Sequence, residues 1–291
     1  MPFTTVRVRC VAVASLATVA TLLAPHARPD DAALAPGLYY SHDQARPRPP
    51  VIAPASDATL PQPPPGDAIV LFDGKNLDAW KRERSSLGIE GPADDTPTWQ
   101  IENGEIVVEP KTNWIRTRQS FPSCQVHLEW ATPSVIKHRG QARGNSGVFL
   151  SGFNEIQILD SFENDTEADS QAAALYGRKP PRVNASRKPG EWQSFDIIAE
   201  LATFDSKGRM ERPARLTVLH NGVVVHHAVE SRNNARTMTL ALQDHHVPVR
   251  FRNIWVRPLG DEPTDAVQPP EQTPTVTTPP PAPTPPPEKT P

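Results

Sequence analysis

The segment Leu216-Thr-Val-Leu-His-Asn-Gly-Val-Val-Val-His226 decides the fold class of this protein. Apolar and β-branched residues flank Asn221-Gly222 on both sides, and this dipeptide favours the positive φ angles of a two-residue hairpin turn. Asn103-Gly104 predicts a second hairpin, between Trp99-Gln-Ile-Glu102 and Glu105-Ile-Val-Val108. Both segments therefore predict antiparallel β-structure.

Most of the remaining pattern between Asp67 and Gly260 also has a period of two, which is typical of short strands. Further strands are predicted at Ile69–Phe72, Gln125–Trp130, Val148–Leu150, Glu155–Leu159, Ser194–Leu201 and Val249–Val256. The single helix candidate is Asp165–Tyr176. One open sheet could not cover both faces of such a core, so the pattern predicts an all-β fold, a jelly-roll β-sandwich of two antiparallel sheets.

Proline is unevenly distributed along the 291 residues. Of the 35 prolines, 11 lie between Pro25 and Pro65 and 12 between Pro263 and Pro291, whereas the long segment between these regions holds 11. The sequence therefore predicts one folded domain at residues 67–260, a disordered Pro-rich linker at 28–66 and a disordered Pro/Thr-rich tail at 261–291. A core of this size can fold alone.

Residues 1–27 have the composition of an export signal. Arg7 and Arg9 precede an apolar stretch that ends at Ala24, and Ala24 and Ala27 offer cleavage points. The alternative is a permanent membrane anchor, but about 15 apolar residues are short for a span of about 20. We therefore expect export to the periplasm, cell envelope or extracellular space, with no stable transmembrane anchor after cleavage.

Charge and motifs exclude several function classes. The formal net charge is -3 and basic residues alternate with acidic ones, so neither nucleic acid nor an anionic membrane is an expected partner. The chain has no His-Glu-x-x-His helix, no Cys-x-x-Cys pair, no Gly-rich phosphate loop and no Gly-x-Ser-x-Gly elbow. Cys124 is left alone once the signal is removed, and we expect it to be a packed thiol.

The densest polar pattern is Gly144-Asn-Ser-Gly-Val-Phe-Leu150 followed by Glu155-Ile-Gln-Ile-Leu-Asp160. In a strand, Glu155 and Gln157 project from one face and the isoleucines from the other. A one-residue bulge after Gln157 would turn Asp160 onto the polar face as well. Two carboxylates on either side of an amide could act as acid and base on a glycosidic bond. The alternative is an ordinary solvated sheet face.

A second polar group follows the predicted strand that ends near Leu242. Gln243 and His245 lie in a turn, and Arg252 follows on the next strand. His245 could act as a base, a proton donor or a metal ligand, or it could be a hydrogen-bonded surface residue. Trp192 could provide a flat platform for a sugar ring, as could Trp114 and Trp255, although tryptophans in a sandwich mostly belong to the core.

Six ordered motifs closely resemble the 3-keto-disaccharide hydrolase domain family. They are Phe72-Asp-Gly-Lys-Asn-Leu-Asp-Ala-Trp80, Gly144–Leu150, Glu155–Asp160, Ala174-Leu-Tyr-Gly177, Pro189-Gly-Glu-Trp192 and Leu242-Gln-Asp-His245 with Val249-Arg-Phe-Arg-Asn-Ile-Trp255. The resemblance implies a concanavalin A-like jelly roll, exported by bacteria, that acts on glycosides whose glucose unit is oxidised at C3.

The implied chemistry assigns roles to these residues. A ketone at C3 acidifies the C2 hydrogen, so a base can form an enolate that expels the C1 substituent, and water can add later. On this hypothesis Glu155 or His245 is the base and Asp160 is the acid. The expected substrate-binding residues are Asn145, Gln157, Tyr176, Glu191, Trp192, Gln243 and Arg252. A divalent metal ion could stabilise the enolate instead, and ordinary hydrolysis by two carboxylates stays open.

We therefore predict an exported enzyme that cleaves 3-keto-glycosides. The rival is a non-catalytic carbohydrate-binding or cell-envelope module, for which the Pro-rich arms would be tethers. A purely structural surface domain, with no sugar affinity, is a third reading. The enzyme should lose its rate when Glu155 is replaced by Gln, whereas a binding module should tolerate this change.

Overall fold

The computed structural model describes residues 38–83, 94–151, 153, 155–231 and 233–260. Contacts divide the chain into Met1–Tyr40, of which residues 38–40 are described, and Ser41–Pro291, which contains everything discussed below. The predicted export signal and the predicted C-terminal tail lie outside the described residues.

Short antiparallel strands dominate the described residues, as the period of two predicts. The strands are β1 Ile69–Phe72, β2 Trp80–Glu83, β3 Gln100–Glu102, β4 Glu105–Val107, β5 Trp114–Thr117, β6 Cys124–Ala131, β7 Asn145–Leu150, β8 Ile156–Leu159, β9 Gln193–Glu200, β10 Thr203–Phe204, β11 Met210–Arg212, β12 Ala214–His220, β13 Val223–Ser231, β14 Leu240–Leu242 and β15 Arg250–Pro258. Three single-turn 3-10 helices lie at Asp57–Thr59, Gly140–Ala142 and Ala168–Ser170.

Two antiparallel sheets form the sandwich. The large sheet has eight strands in the order β13-β12-β9-β6-β15-β4-β3, with β1 also paired to β15. The small sheet has five strands in the order β2-β5-β14-β7-β8, and β10 and β11 form a separate hairpin. The predicted all-β, concanavalin A-like jelly roll of two antiparallel sheets is therefore confirmed.

The core lies between the two sheets and follows from residue alternation. Val126, Leu128 and Trp130 of β6 face it from the large sheet, and Ile156 and Ile158 of β8 face it from the small sheet. Burial of each such side chain contributes about 1.5–3 kcal/mol. Residues between these positions point away from the core, which is how each sheet presents an outer polar face.

Both predicted hairpins are confirmed, because Asn103 and Asn221 have φ angles of 52° and 53° at their turns. The predicted helix at Asp165–Tyr176 is wrong. Only Ala168–Ser170 forms a 3-10 turn, and the residues that follow bind the edge of β8 instead, where Ala173 N donates to Gln157 O at 2.8 Å. Among the described residues, no helix is long and apolar enough to cross a membrane.

Residues 41–66, which we call the strap, lie along the sandwich. Ile52 N donates to Asn184 O at 3.0 Å, and Asn184 N donates to Pro50 O at 2.8 Å. Further on, the buried Arg187 donates to Ala55 O at 2.8 Å. Where composition predicts a disordered linker at 28–66, the part from Ser41 onward thus makes backbone hydrogen bonds to the domain.

The end of the strap covers a buried carboxylate on the outer face of the large sheet. Glu129 accepts hydrogen bonds from Gln62 N at 2.9 Å, Asn253 Nδ2 at 2.8 Å and Arg252 Nε at 2.7 Å. Burial opposes ionisation of Glu129, but His127, whose Nε2 lies 3.6 Å away, and the hydrogen bonds from Asn253 and Arg252 outweigh it and hold the pKa below its ordinary value. The strap therefore completes the partners of a buried charge.

Candidate active site

The outer face of the small sheet carries a small polar cavity of about 70 Å³. Its lining comes from the ends of β7, β8 and β14 and from two loops: Gln141, Asn145, Glu155, Gln157, Tyr176, Gln243 and His245. Six of these seven residues are among those that the sequence singles out for catalysis or binding. Gln141 is the one it misses.

Strand alternation brings these side chains together. Val148 and Leu150 of β7 face the core, as do Ile156 and Ile158 of β8, so Asn145, Gly147 and Gln157 face outward. The register of β7 and β8 pairs Gly147 with Gln157. Since Gly147 has no side chain, the Glu155 carboxyl group lies directly above it.

Burial sets the protonation of Glu155. Loss of water contact raises the pKa of this carboxyl group to about 7. The Gln157 amide, in the orientation that satisfies both of its ends, donates to Ser146 O at 3.0 Å and to Glu155 Oε1 at 3.2 Å. A group that titrates near neutral pH can both accept and return a proton, which is the requirement for general acid–base catalysis.

His245 also lines the cavity, and burial lowers its pKa, so the imidazole is neutral at pH 7. Tyr176 keeps its proton, because burial and then the charge of Glu155 raise its pKa. Gln243 Oε1 is buried without a hydrogen-bond partner. The cavity thus offers a neutral base, a phenol donor and an unsatisfied oxygen acceptor to a ligand.

An aromatic pair adjoins the carboxyl group. The rings of Trp114 and Phe149 lie 4.4 Å apart at 32°, and the edge of Phe149 lies beside Glu155 over Gly147. Trp114 is one of the platforms that the sequence suggests, whereas Phe149 is missed. The sequence signal for Phe149 is its position two residues after Gly147, because strand alternation places both residues on the outer face.

Asp160 lies outside this cavity. The register of β7 and β8 runs without a shift, so the predicted bulge after Gln157 is wrong, and β8 ends at Leu159. Asp160 Oδ2 instead accepts from the buried Arg143 Nε at 2.8 Å. The Arg143 guanidinium thus stabilises the buried Asp160 carboxylate next to the core, and no bulge of the strand brings Asp160 to the outer face.

Arg252, Trp192 and Glu191 also lie apart from Glu155. Arg252 points from the outer face of the large sheet, where its guanidinium lies 4.0 Å from the centre of the Trp192 ring. Glu191 Oε2 accepts from Lys188 N at 3.1 Å in the preceding loop. Because Arg252 and Gln157 point from the outer faces of different sheets, the core separates these residues from the small cavity.

The chemistry of the cavity suits a metal ion only in part. Besides Tyr176, the ionisable residues that line the cavity and could bind a metal are Glu155 and His245. Gln243 Oε1 adds an oxygen that has no hydrogen-bond partner. Asp244 does not join them, since it accepts from Thr112 N and His246 N. No cluster of three or more His, Cys, Asp or Glu suited to a metal exists in the part of the chain that the structure describes. The predicted divalent ion stays a prediction.

Together these features define a concanavalin A-like β-sandwich with an ionisable polar pocket on its smaller sheet. The chain belongs to the family of 3-keto-alpha-glucoside-1,2-lyase-like domains, whose model matches residues 67–257. The predicted family is thereby confirmed.

Solved structures from Parabacteroides distasonis are similar to this chain. A candidate glycosyl hydrolase from this bacterium is 36% identical, with a TM-score of 0.60, and the match covers 74% of this chain and 93% of that one. A second candidate glycosyl hydrolase is 20% identical, with a TM-score of 0.47 and coverages of 66% and 94%. Among curated proteins, no sequence matches.

Proposed function

We propose that this protein is a carbohydrate-active enzyme that cleaves 3-keto-glucosides between C1 and the glycosidic oxygen. One observation carries this proposal. Glu155, with a pKa of about 7, shares a small cavity with neutral His245 and protonated Tyr176. Membership of the family and likeness to a candidate glycosyl hydrolase support the same class of substrate.

The reaction we propose is an elimination. Glu155 takes the proton from C2, whose acidity the C3 ketone has raised, and negative charge moves onto the C3 oxygen. The C1–O bond then breaks as the C1=C2 double bond forms, and the expelled oxygen leaves with a proton. Addition of water across the double bond gives the free 3-keto sugar. The atoms and charges balance without an oxidant or a reductant.

The neighbouring side chains fit the other needs of this reaction. Tyr176 and the side-chain amides of Asn145 and Gln157 can donate to the oxygen on which charge develops. His245, being neutral, can accept a proton and pass it to the leaving oxygen. Gln243 Oε1 can accept from a sugar hydroxyl, which would satisfy its buried lone pairs.

A divalent ion would fit these donors in part. Glu155, His245 and Gln243 Oε1 would hold it, and it would supply positive charge close to the C3 oxygen. Chelator added during turnover tests this addition. We further propose that the protein acts outside the cytoplasm, which the composition of residues 1–27 supports.

The test compares a chromogenic 3-keto-glucoside with its unoxidised parent. We expect release from the keto substrate alone, and a fall of about 100-fold or more in kcat for Glu155→Gln. Glu102→Gln is the matched control, because Glu102 is an exposed carboxylate on β3 of the other sheet. Release from the parent substrate at a similar rate would overturn the elimination and favour ordinary hydrolysis.

One observation favours a second function, a non-catalytic sugar-binding module. The Trp114–Phe149 pair offers an aromatic surface on which a sugar ring can pack. Such a module predicts that Glu155→Gln keeps its affinity for the 3-keto sugar and that the wild-type protein shows no turnover.

A further inference from the structure

A second and much larger cavity, which we call the end cavity, lies next to the small one. It has a volume of about 700 Å³, ten times that of the small cavity. Its walls come from the loop after β6, from the residues flanking β7 and β8, and from the loop before β15. They include Val135, Ile136, Arg143, Asp160 and Pro248.

Three short segments form the wall between the cavities. Ala142, Gly144 and His246 line the end cavity, while their chain neighbours Gln141, Asn145 and His245 line the small cavity. The two cavities are therefore neighbours on either side of these segments. On the proposed function, a sugar whose C2 and C3 face Glu155 would direct the group on its C1 oxygen past this wall to reach the end cavity.

The end cavity combines apolar surface with positive charge. Val135 and Ile136 are 67% and 53% exposed at its rim, and Pro133, Val247 and Pro248 extend the same apolar surface. Lys137, Arg143 and Arg250 also line the cavity, where Arg143 pairs with Asp160 and Arg250 pairs with Glu105 at 2.8 Å. Apolar surface beside guanidinium groups suits an electron-rich aromatic ring, since the ring face attracts cations.

Asp160 supplies the polar contact that such a ring would use. The side chain is 3% exposed, and Oδ1 has no hydrogen-bond partner although Oδ2 is held by Arg143. A buried carboxylate oxygen without a donor favours a ligand that brings an O–H group. A second sugar would bring many hydroxyl protons to a lining that has one carboxylate acceptor, whereas a phenol brings one or two.

We propose that the end cavity binds the leaving group of the substrate and selects a flat, phenolic aglycone. This inference rests on the proposed function. The preferred substrates are then aryl 3-keto-glucosides with a free ring hydroxyl, which donates to Asp160 Oδ1. The guanidinium groups of the lining also stabilise the negative charge that develops on the phenolic oxygen before it is protonated.

The test measures kcat/KM for 4-hydroxyphenyl, methyl and glucosyl 3-keto-glucosides with the full chain. Ile136→Ser removes apolar surface at the rim, so the ratio of kcat/KM for the hydroxyphenyl over the methyl substrate should fall about fivefold to tenfold. Val224→Ser is the matched control, because Val224 is 45% exposed on β13, far along the large sheet from this cavity. It should leave the ratio unchanged.

The proposal would be overturned if Ile136→Ser left the ratio of kcat/KM for the hydroxyphenyl over the methyl substrate unchanged. It would also be overturned if the variant instead lowered the ratio of kcat/KM for the glucosyl over the methyl substrate. If no 3-keto-glucoside is turned over, the proposed function fails. Binding of hydroquinone alone then tests whether the end cavity binds a phenol. Hydroquinone that binds the wild-type protein about fivefold or more tightly than Ile136→Ser would support the cavity. Absence of binding, or equal binding to both proteins, would overturn it.

Discussion

The carboxyl group of Glu155 occupies the space that a side chain at position 147 would fill. A β carbon built on Gly147 would lie 2.2 Å from Glu155 Oε1 and 3.0 Å from Phe149 Cε2. The backbone of Gly147 does not need a glycine, since its φ is outside the left-handed region. The glycine is required by space, because the carboxyl group and the aromatic ring meet above it.

We predict that Gly147→Ala abolishes most activity while the protein still folds. The methyl group displaces the end of a flexible Glu155 side chain, which costs little stability but moves the reacting oxygen by about 1 Å, enough for a roughly 100-fold loss of kcat. Steady-state kinetics and thermal unfolding test this. Gly66→Ala is the control, because nothing lies within 4 Å of its β carbon. Full activity in Gly147→Ala would contradict the placement of Glu155.

Glu155→Gln should stabilise the protein at alkaline pH. Burial raises the pKa of Glu155 from 4.5 to about 7, so the folded protein keeps a proton that the unfolded chain has released between these values. Stability is therefore lost as the pH rises from about 4.5 to 7. A neutral Gln avoids that loss, so the free energy of unfolding of the variant minus that of the wild type should be about 1–3 kcal/mol higher at pH 8.5 than at pH 4.5.

Urea unfolding of both proteins at the two pH values measures this difference. Glu102→Gln, on the exposed edge of β3, should show no such dependence. An equal difference at both pH values would mean that Glu155 is solvated in the folded protein.

His245→Asn should lower kcat by about tenfold to 1000-fold, because the neutral imidazole is the other proton acceptor in the cavity. Protonation of Glu155, whose pKa is about 7, should begin the loss of kcat at acid pH. Burial lowers the pKa of His245, so protonation of His245 should steepen this loss below the ordinary histidine value of 6.5, and the steeper part should vanish in this variant. His227→Asn is the control, since His227 is exposed on β13. An unchanged profile would remove His245 from the proton transfers.

Removal of the strap should destabilise the domain. A chain that begins at Asp67 loses the Gln62 donor to Glu129, the pairing of residues 50–52 with Asn184 and the Ala55 acceptor of Arg187. We expect its free energy of unfolding to be about 2–4 kcal/mol lower than that of a chain that begins at Ser41. Equal melting temperatures for the two chains would show that the strap contributes no stability.

Local patterns predict much of the fold and of the small cavity. Asn-Gly turns and the period of two depend on neighbouring residues, so both hairpins and the two-sheet sandwich follow from them. The alternation that puts Ile156 in the core also puts Gln157 on the outer face beside Asn145. Glu155 could be chosen in the same way, whereas Gln243 and His245 come from a predicted turn and Tyr176 from a family motif.

Other features depend on partners that are distant in the chain. The bulge expected after Gln157 assumes that Asp160 must reach solvent, but Arg143 pairs with it inside the protein. Composition alone suggests that the Pro-rich strap is disordered, yet hydrogen bonds to Asn184 and Arg187 hold it in place. Arg252 and Trp192 belong to the same series of sequence motifs as the other site residues, but in the folded protein the core separates them from Glu155.

The thin wall between the two cavities places a constraint on how this protein can diverge. Adjacent residues face opposite sides of this wall. The small cavity is lined by Gln141, Asn145 and His245, and the end cavity by their neighbours Ala142, Gly144 and His246. An insertion or a backbone shift in any of these segments would disturb both cavities, and on the proposed function it would change the chemistry and the choice of leaving group together. New specificities should therefore arise mainly in the loop of Val135 and Ile136, which lines one cavity alone, and laboratory evolution could begin there.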